Sequence, residues 1–320
     1  MRIFLLALMS LIIFSSCNPP AKTVPVVGFM DAFEDNTIGQ AKQGFIDALK
    51  KNGYSEDQKT VQIIYRNAQG DIPKLTLSIK YFISQKVDLI ATCPTTSTIA
   101  AVQNTKDIPV FMMVSPTPEL MKLTDASGKA PANLYGVNET LGYIDTSFSL
   151  IPQYVKPKAA KLKVGLLYNQ SEPQSAQALE RIKQLAEKLN VDVVAESASS
   201  TSDVQLAAQS LLSKDIDVFF ANPDNVVFGS FETIIKACNN AKVPVFTSEA
   251  GLVSRGAVAA YGADMYQWGY QAGEQAAAFL KSKSTKDLSP EMVKIRKRVY
   301  NPAAAKQFNI TLPDNFEALK

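Results

Sequence analysis

From residue 25 onward, short apolar runs alternate with longer stretches in which apolar side chains recur every three or four positions. Pro25 to Met30 is an unbroken apolar run with β-branched residues, the pattern of a strand buried on both faces. Residues 36–51 place Ile38, Ala41, Phe45 and Leu49 on one stripe with Gly53 beyond the end, which predicts an amphipathic helix and its stop. The pattern then predicts a strand over 61–65, a helix from an Asp71 N-cap to Gln85, a strand over 89–92, a helix over 96–104 and a strand over 110–114.

The same order returns. Residues 163–167 repeat the opening strand and its glycine, followed by a helix over 174–189, a strand over 191–195 and a helix over 202–212. Asp217 to Pro223 then mirrors Asp88 to Pro94, and Lys242 to Phe246 mirrors Asp107 to Phe111. The offsets are 137 residues from Gly28 to Gly165, 129 from Asp88 to Asp217 and 135 from Pro109 to Pro244. Near-constant offsets imply two copies of one α/β unit, hence two doubly wound parallel-sheet lobes. A further strand over 257–261, a helix over 265–281, a strand over 297–300 and a short helix after Pro302 belong to neither copy. They imply that the chain returns to the first lobe and crosses again, making a multi-strand hinge. The expected division is 24–139 plus 249–283 for lobe one and 140–248 plus 284–320 for lobe two.

Composition narrows the class. The 320 residues are 46% hydrophobic and 20% charged, with 33 basic against 30 acidic side chains, so charge offers no footprint for nucleic acid. The N-terminus carries Arg2, an apolar run from Ile3 to Phe14 that is too short to span a bilayer, and Ser15-Ser16-Cys17. This resembles an export signal ending in a bacterial lipobox, although Phe14 departs from the usual aliphatic residue. It predicts a signal peptide over 1–16, a lipidated Cys17 and a tether over 17–23. The expected location is outside the cytoplasm, on a bacterial membrane through the lipid alone, as a monomer. Cys93 and Cys238 fall in different lobes and are expected to be free thiols.

The chemistry points to binding. There is no histidine, which removes histidine-based triads and histidine metal sites, and no phosphate-cradling glycine motif is present. No enzyme activity, metal or cofactor is expected. In open parallel sheets ligands sit beyond the carboxyl ends of the strands. The loops there hold Asp31, Thr95, Thr96, Ser115, Asn138, Tyr168, Asn169, Ser175, Asp224, Asn225, Glu249 and Asp264. Thr95 and Thr96 open a helix and can offer N–H groups to a ligand carboxylate, or simply cap it. Asp224 can hold a ligand ammonium or cap the helix from Val226; Glu249 and Asp264 are rival ammonium partners or solvated acids. Phe33, Tyr168 and Tyr261 can stack on a flat ligand or pack in the core.

Several runs together resemble the substrate-binding lipoproteins of ABC transporters of the tryptophan/tyrosine type. They are Val243 to Phe246 through Glu249 to Val253, Gly256-Ala257, Tyr261 to Asp264 with Gly269, Tyr168-Asn169, Ser171-Glu172-Pro173 with Ser175, and Pro223-Asp224-Asn225 with Val227. The resemblance implies a type I periplasmic-binding-protein fold that delivers a small ligand to a membrane permease and its ATPase; close relatives bind aromatic amino acids. It also supports Asn138, Asn169 and Ser175 as cleft residues. Departures at Cys93-Pro94-Thr95, Thr117-Pro118 and Leu134-Tyr135-Gly136 lie at lobe-one strand ends, where ligand choice is made. The expected ligand is an amino acid, with an aromatic one the narrower option. The alternatives are a nucleoside, sugar or other small solute, or a sensor that signals to a membrane kinase.

Overall fold

The computed structural model describes residues 24–319, so the expected signal peptide, the Cys17 lipidation site and the tether over 17–23 lie outside the described residues. Among the described residues no helix is long and apolar enough to cross a membrane. The first lobe starts with β1 (Val26–Asp31), α1 (Gly39–Lys51), β2 (Gln62–Asn67), α2 (Ile72–Ser84), β3 (Leu89–Cys93), α3 (Thr95–Asn104), β4 (Val110–Pro116) and β5 (Leu134–Glu139). The chain then crosses to α4 (Gly142–Phe148), α5 (Ile151–Tyr154), β6 (Lys163–Tyr168), α6 (Pro173–Leu189), β7 (Asp192–Ser197), α7 (Val204–Leu212) and β8 (Val218–Ala221). The second lobe continues with α8 (Asn225–Gly229), α9 (Phe231–Asn240), β9 (Val245–Glu249), α10 (Ala250–Ser254) and β10 (Ala259–Ala263). Last come α11 (Met265–Ser282), β11 (Glu291–Met292), β12 (Arg296–Tyr300), α12 (Pro302–Gln307) and β13 (Glu317–Ala318).

The two sheets have the strand orders β11-β5-β4-β3-β1-β2 and β13-β12-β10-β9-β8-β6-β7. Every described pairing is parallel except β10 with β12. Removing the late strands leaves 5-4-3-1-2 against 10-9-8-6-7, the same winding twice, as the internal repeat implies. The repeated glycine has a packing reason. A Cβ on Gly28 would stand 2.8 Å from the Phe82 ring, and one on Gly165 would stand 2.6 Å from Ile216. In each lobe the first strand omits its side chain so that a bulky apolar group can lie on the sheet.

Two expectations about lobe membership need correction. The strand after Gly256 does not return to lobe one: β10 pairs with β9 in the second sheet, Ala259 opposite Phe246. The five-residue α10 makes β9 and β10 consecutive neighbours, the commonest arrangement for sequential strands. The return therefore falls at Asp264–Met265, not at residue 249. Conversely, β11 lies in the first sheet beside β5, although residues 284–320 were expected wholly in lobe two. Cys93 and Cys238 are both free and buried, as expected.

Two buried carboxylates tie the crossing segments together. Glu139 at the end of β5 meets Arg296 of β12 at 2.8 Å, and Asp264 after β10 meets Lys297 at 2.8 Å. Asp264 also caps α11, accepting from the Gln267 N–H at 3.2 Å. Helix α11 then lies on α1 at very short range, because a Cβ on Gly269 would stand only 1.8 Å from the Ala41 carbonyl oxygen. The Trp268 indole N–H donates to the Val137 carbonyl at 2.8 Å and fixes the same helix to β5. Gly269→Ala should therefore force the two helices apart and destabilise the protein by roughly 1–3 kcal/mol. The expected result is a lower urea midpoint with the far-UV circular dichroism of the native protein retained below the transition.

Candidate functional site: the cleft between the lobes

The carboxyl ends of the central strands of both sheets face one cleft. Its inner part is narrow, with a cavity volume of only about 40 Å³, well below the roughly 300–1,000 Å³ of ordinary small-molecule sites. The two walls of the cleft thus stand close together.

The lobe-one wall rests on a chain of hydroxyls. Thr92 and Thr98 are 2.9 Å apart, Thr98 and Ser115 are 3.0 Å apart, and Ser115 donates to the Met113 carbonyl at 3.3 Å. These bonds anchor the start of α3 to β4. The N–H groups of Thr95 and Thr96 find no acceptor among the described residues, as expected for the first turn of a helix. Beside them Val114 adopts φ +52°, and the β4–β5 register slips between Met112 and Ser115. A β-branched residue in the left-handed region stores strain of about 1–3 kcal/mol, and such strain gathers at functional sites. Here the kink lies where Val114, Ser115 and Pro116 line the inner cavity.

The lobe-two wall is acidic. Asp224 is fully engaged by protein donors: Val226 and Val227 N–H on Oδ1 at 2.8 and 2.9 Å, and Asn169 N–H and the Ser175 hydroxyl on Oδ2 at 2.7 and 2.6 Å. Glu172 accepts from the Gln174 side-chain amide at 2.6 Å and the Asn225 N–H at 3.2 Å. Burial, then the nearby Asp224 charge, pushes Glu172 up to about 8. Glu249, at the end of β9, is completely buried and its Oε2 has no hydrogen-bond partner among the described residues. Burial pushes Glu249 up to about 8; the nearby Tyr143 and Ser248 hydroxyls oppose the shift and the Glu139 charge adds to it. The bordering arginines are already paired, Arg296 with Glu139 and Arg255 with Asp35 and Glu232. Between these acids stand Tyr143, Phe228 and Trp268, an aromatic lining for the inner cavity.

The inner cavity brings together Thr95, Ser115, Asp224, Asn225 and Glu249 of the expected residues. Phe33, Thr96, Asn169 and Asn225 line the outer cleft, between residues 32–34 of lobe one and the loops of lobe two. Others lie elsewhere. Asp31 is buried beside Lys42, 3.8 Å away, in a separate lobe-one hollow. Asn138 is buried in β5 opposite Ser115. Tyr168 packs half-buried against the core, and Ser175 serves Asp224. The stacking expectation for Tyr261 is corrected: its ring lies 4.2 Å from the Arg298 guanidinium, in a groove outside the cleft. The oxygens of Asp224 and Asp264, the other expected ammonium partners, already serve helix caps, a loop brace and an ion pair with Lys297. Glu249 keeps a free oxygen.

Sequence reasoning missed Tyr143, Gln174, Phe228, Trp268 and Glu139 in the cavity wall. Tyr143 and Phe228 sit on or beside short helices, α4 and α8, with too few turns to show periodicity. Gln174 had a readable signal, because it lies in the first turn of the helix that follows β6, as Thr95 lies in the first turn of the helix that follows β3.

One further contact joins the lobes. Arg255, held on lobe two by Glu232 and by the Phe228 carbonyl, donates to Asp35 at 2.7 Å and Thr37 at 3.0 Å on lobe one.

A family model described as ABC transporter substrate binding protein matches residues 26–319. The tyrosine-binding protein of Clostridioides difficile is 36% identical over 262 residues, covering 82% of this chain and 74% of that protein. The structure of an ABC domain in complex with L-Trp from Streptococcus pneumoniae superposes with a TM-score of 0.82 at 24% identity, covering 92% of this chain and 99% of that one. A ligand-free, open substrate-binding protein with adhesive properties from Clostridium difficile superposes with a TM-score of 0.68 at 29% identity, covering 93% and 99%. These neighbours share the two-lobed type I periplasmic-binding-protein fold.

The buried Glu249 has a measurable signature. Its folded proton affinity is raised from 4.5 to about 8, so its contribution to stability is full below about pH 4.5 and is lost as pH rises toward and through 8. Glu249→Gln, which carries no charge at any pH, should flatten the fall in melting temperature of the ligand-free protein between pH 5 and 8. Glu172 and Asp31, raised in the same direction, leave a smaller residual slope.

Proposed function

The chain belongs to the ABC transporter substrate-binding proteins, and from that premise we propose that it captures an aromatic amino acid between its lobes and delivers it to a membrane permease and its ATPase. The observation that carries this reading is the free Oε2 of Glu249 in a narrow, acidic cavity with aromatic walls. A buried carboxylate without a partner is costly, and a ligand ammonium relieves that cost through a charge-assisted hydrogen bond. Across the cavity the open N–H group of Thr95 suits the ligand carboxylate. Tyr143, Phe228 and Trp268 suit a flat side chain. The tyrosine-binding relative and the L-Trp complex support the same ligand class.

The energies are sufficient. A charge-assisted hydrogen bond contributes about 1.5–3 kcal/mol and a buried ring a further 1.5–3 or so. Two charged ends and one ring thus supply enough, after ordering costs, to approach the roughly −8 kcal/mol of a micromolar complex. Because these groups come from both lobes, the ligand favours the closed arrangement over the open one. Export and anchoring at Cys17 fit delivery at a membrane surface; the Ser15-Ser16-Cys17 sequence supports them.

Isothermal titration of the mature domain against the twenty amino acids, nucleosides and common sugars tests the reading. Tyrosine or tryptophan should bind at micromolar affinity or tighter, and Glu249→Gln should weaken either by roughly 10- to 100-fold. Glu249 must ionise to hold an ammonium, so affinity should rise from pH 6 to pH 8 and binding at pH 7 should release protons to the buffer. Binding only to a sugar or nucleoside would overturn the ligand class.

A further inference from the structure

Gln174 opens α6 just after Pro173, lines the inner cavity and is 7% exposed. Its side-chain amide is committed at one end only. Nε2 donates to Glu172 Oε2 at 2.6 Å, while Oε1 has no hydrogen-bond partner. The Nε2 bond sets the rotation of the amide, because Glu172 Oε2 also accepts from the Asn225 N–H at 3.2 Å and swapping the amide ends would turn one acceptor toward another. Gln174 Oε1 is therefore a fixed acceptor, buried and unsatisfied, in the wall of the cavity.

The cavity thus has two unsatisfied acceptors of different kinds. Glu249 Oε2 belongs to an acid and suits a cation. Gln174 Oε1 belongs to a neutral amide and suits a neutral donor. Both residues line the one inner cavity, Glu249 from the end of β9 and Gln174 from the first turn of α6. One amino acid with a donor at each end can engage both acceptors. Phenolic O–H and indole N–H are the neutral donors that an aromatic side chain can bring; the phenylalanine ring has none.

We infer that Gln174 reads a hydrogen-bond donor on the ligand's ring, so that the cleft takes tyrosine or tryptophan and rejects phenylalanine. The inference rests on the amino-acid reading above and adds a specificity residue to it. Rejection follows because phenylalanine closes the cavity over an amide oxygen that has lost water and gained nothing.

The test is isothermal titration of the mature protein with tyrosine, 4-fluorophenylalanine, phenylalanine, tryptophan and 1-methyltryptophan. The unmodified protein should bind tyrosine roughly 10- to 100-fold more tightly than phenylalanine or 4-fluorophenylalanine. If tryptophan is the tighter ligand, 1-methyltryptophan should show the corresponding loss. Gln174→Met, close to glutamine in length and without the acceptor, should shrink the gap to within a few-fold while phenylalanine binding holds or improves; Gln174→Leu serves if the methionine variant does not fold. Equal affinity for a donor-bearing ligand and its donor-free analogue in the unmodified protein overturns the inference but leaves the amino-acid reading standing. So does a uniform loss for all ligands in the variants, the mark of a merely structural glutamine. Failure of every aromatic amino acid to bind sinks both.

Discussion

Glu139 and Arg296 meet where the chain passes between the lobes, and the working shape of the protein hangs on that pair. Glu139 ends the β5 strand of the first sheet, and Arg296 begins the β12 strand of the second. The carboxylate is 1% exposed, so without the guanidinium it would be a bare buried charge. The pair therefore fixes how the end of one sheet is set against the edge of the other. Glu139 also lines the inner cavity, and it raises the proton affinity of Glu249. The joint between the lobes and the site between them thus share a residue, and a charge brought to the cavity acts on both.

Most other buried acids here are neutralised within the protein. Asp224 is held by four donors, Asp264 by a helix start and Lys297, and Asp35 by Arg255 and the start of α1. Glu249 is the contrast, sealed from solvent with one oxygen unsatisfied. Incomplete pairing of a buried carboxylate costs stability. The same logic covers the Val114 backbone: local strain is kept where the polypeptide has to shape a cavity.

The lobes meet outside the cavity as well. Arg255 joins Glu232 and the Phe228 carbonyl on its own lobe to Asp35 and Thr37 on the other. Phe228 is part of the cavity wall, so this contact and the ligand site close over the same ground.

The sequence by itself determined the repeated α/β unit, the parallel sheets and the places where loops meet a cleft. These depend on local periodicity and on short apolar runs, which are written residue by residue. It also exposed the reused glycine at positions 28 and 165, though not the Phe82 and Ile216 contacts that require it. It named Thr95, Ser115 and Glu249, because strand ends in such sheets have a known direction. Only the tertiary structure decided that β10 stays in the second sheet, since pairing is a choice among strands with similar patterns. Only it separated Glu249 from Asp224 and Asp264. All three are acids at strand ends, and what distinguishes them is whether distant donors such as the Asn169 N–H, the Ser175 hydroxyl and the Lys297 ammonium have reached them first. Hydrogen-bond partners far apart in the chain leave no periodicity behind, so whether a carboxylate is a brace or a free hand emerges only when the chain is folded.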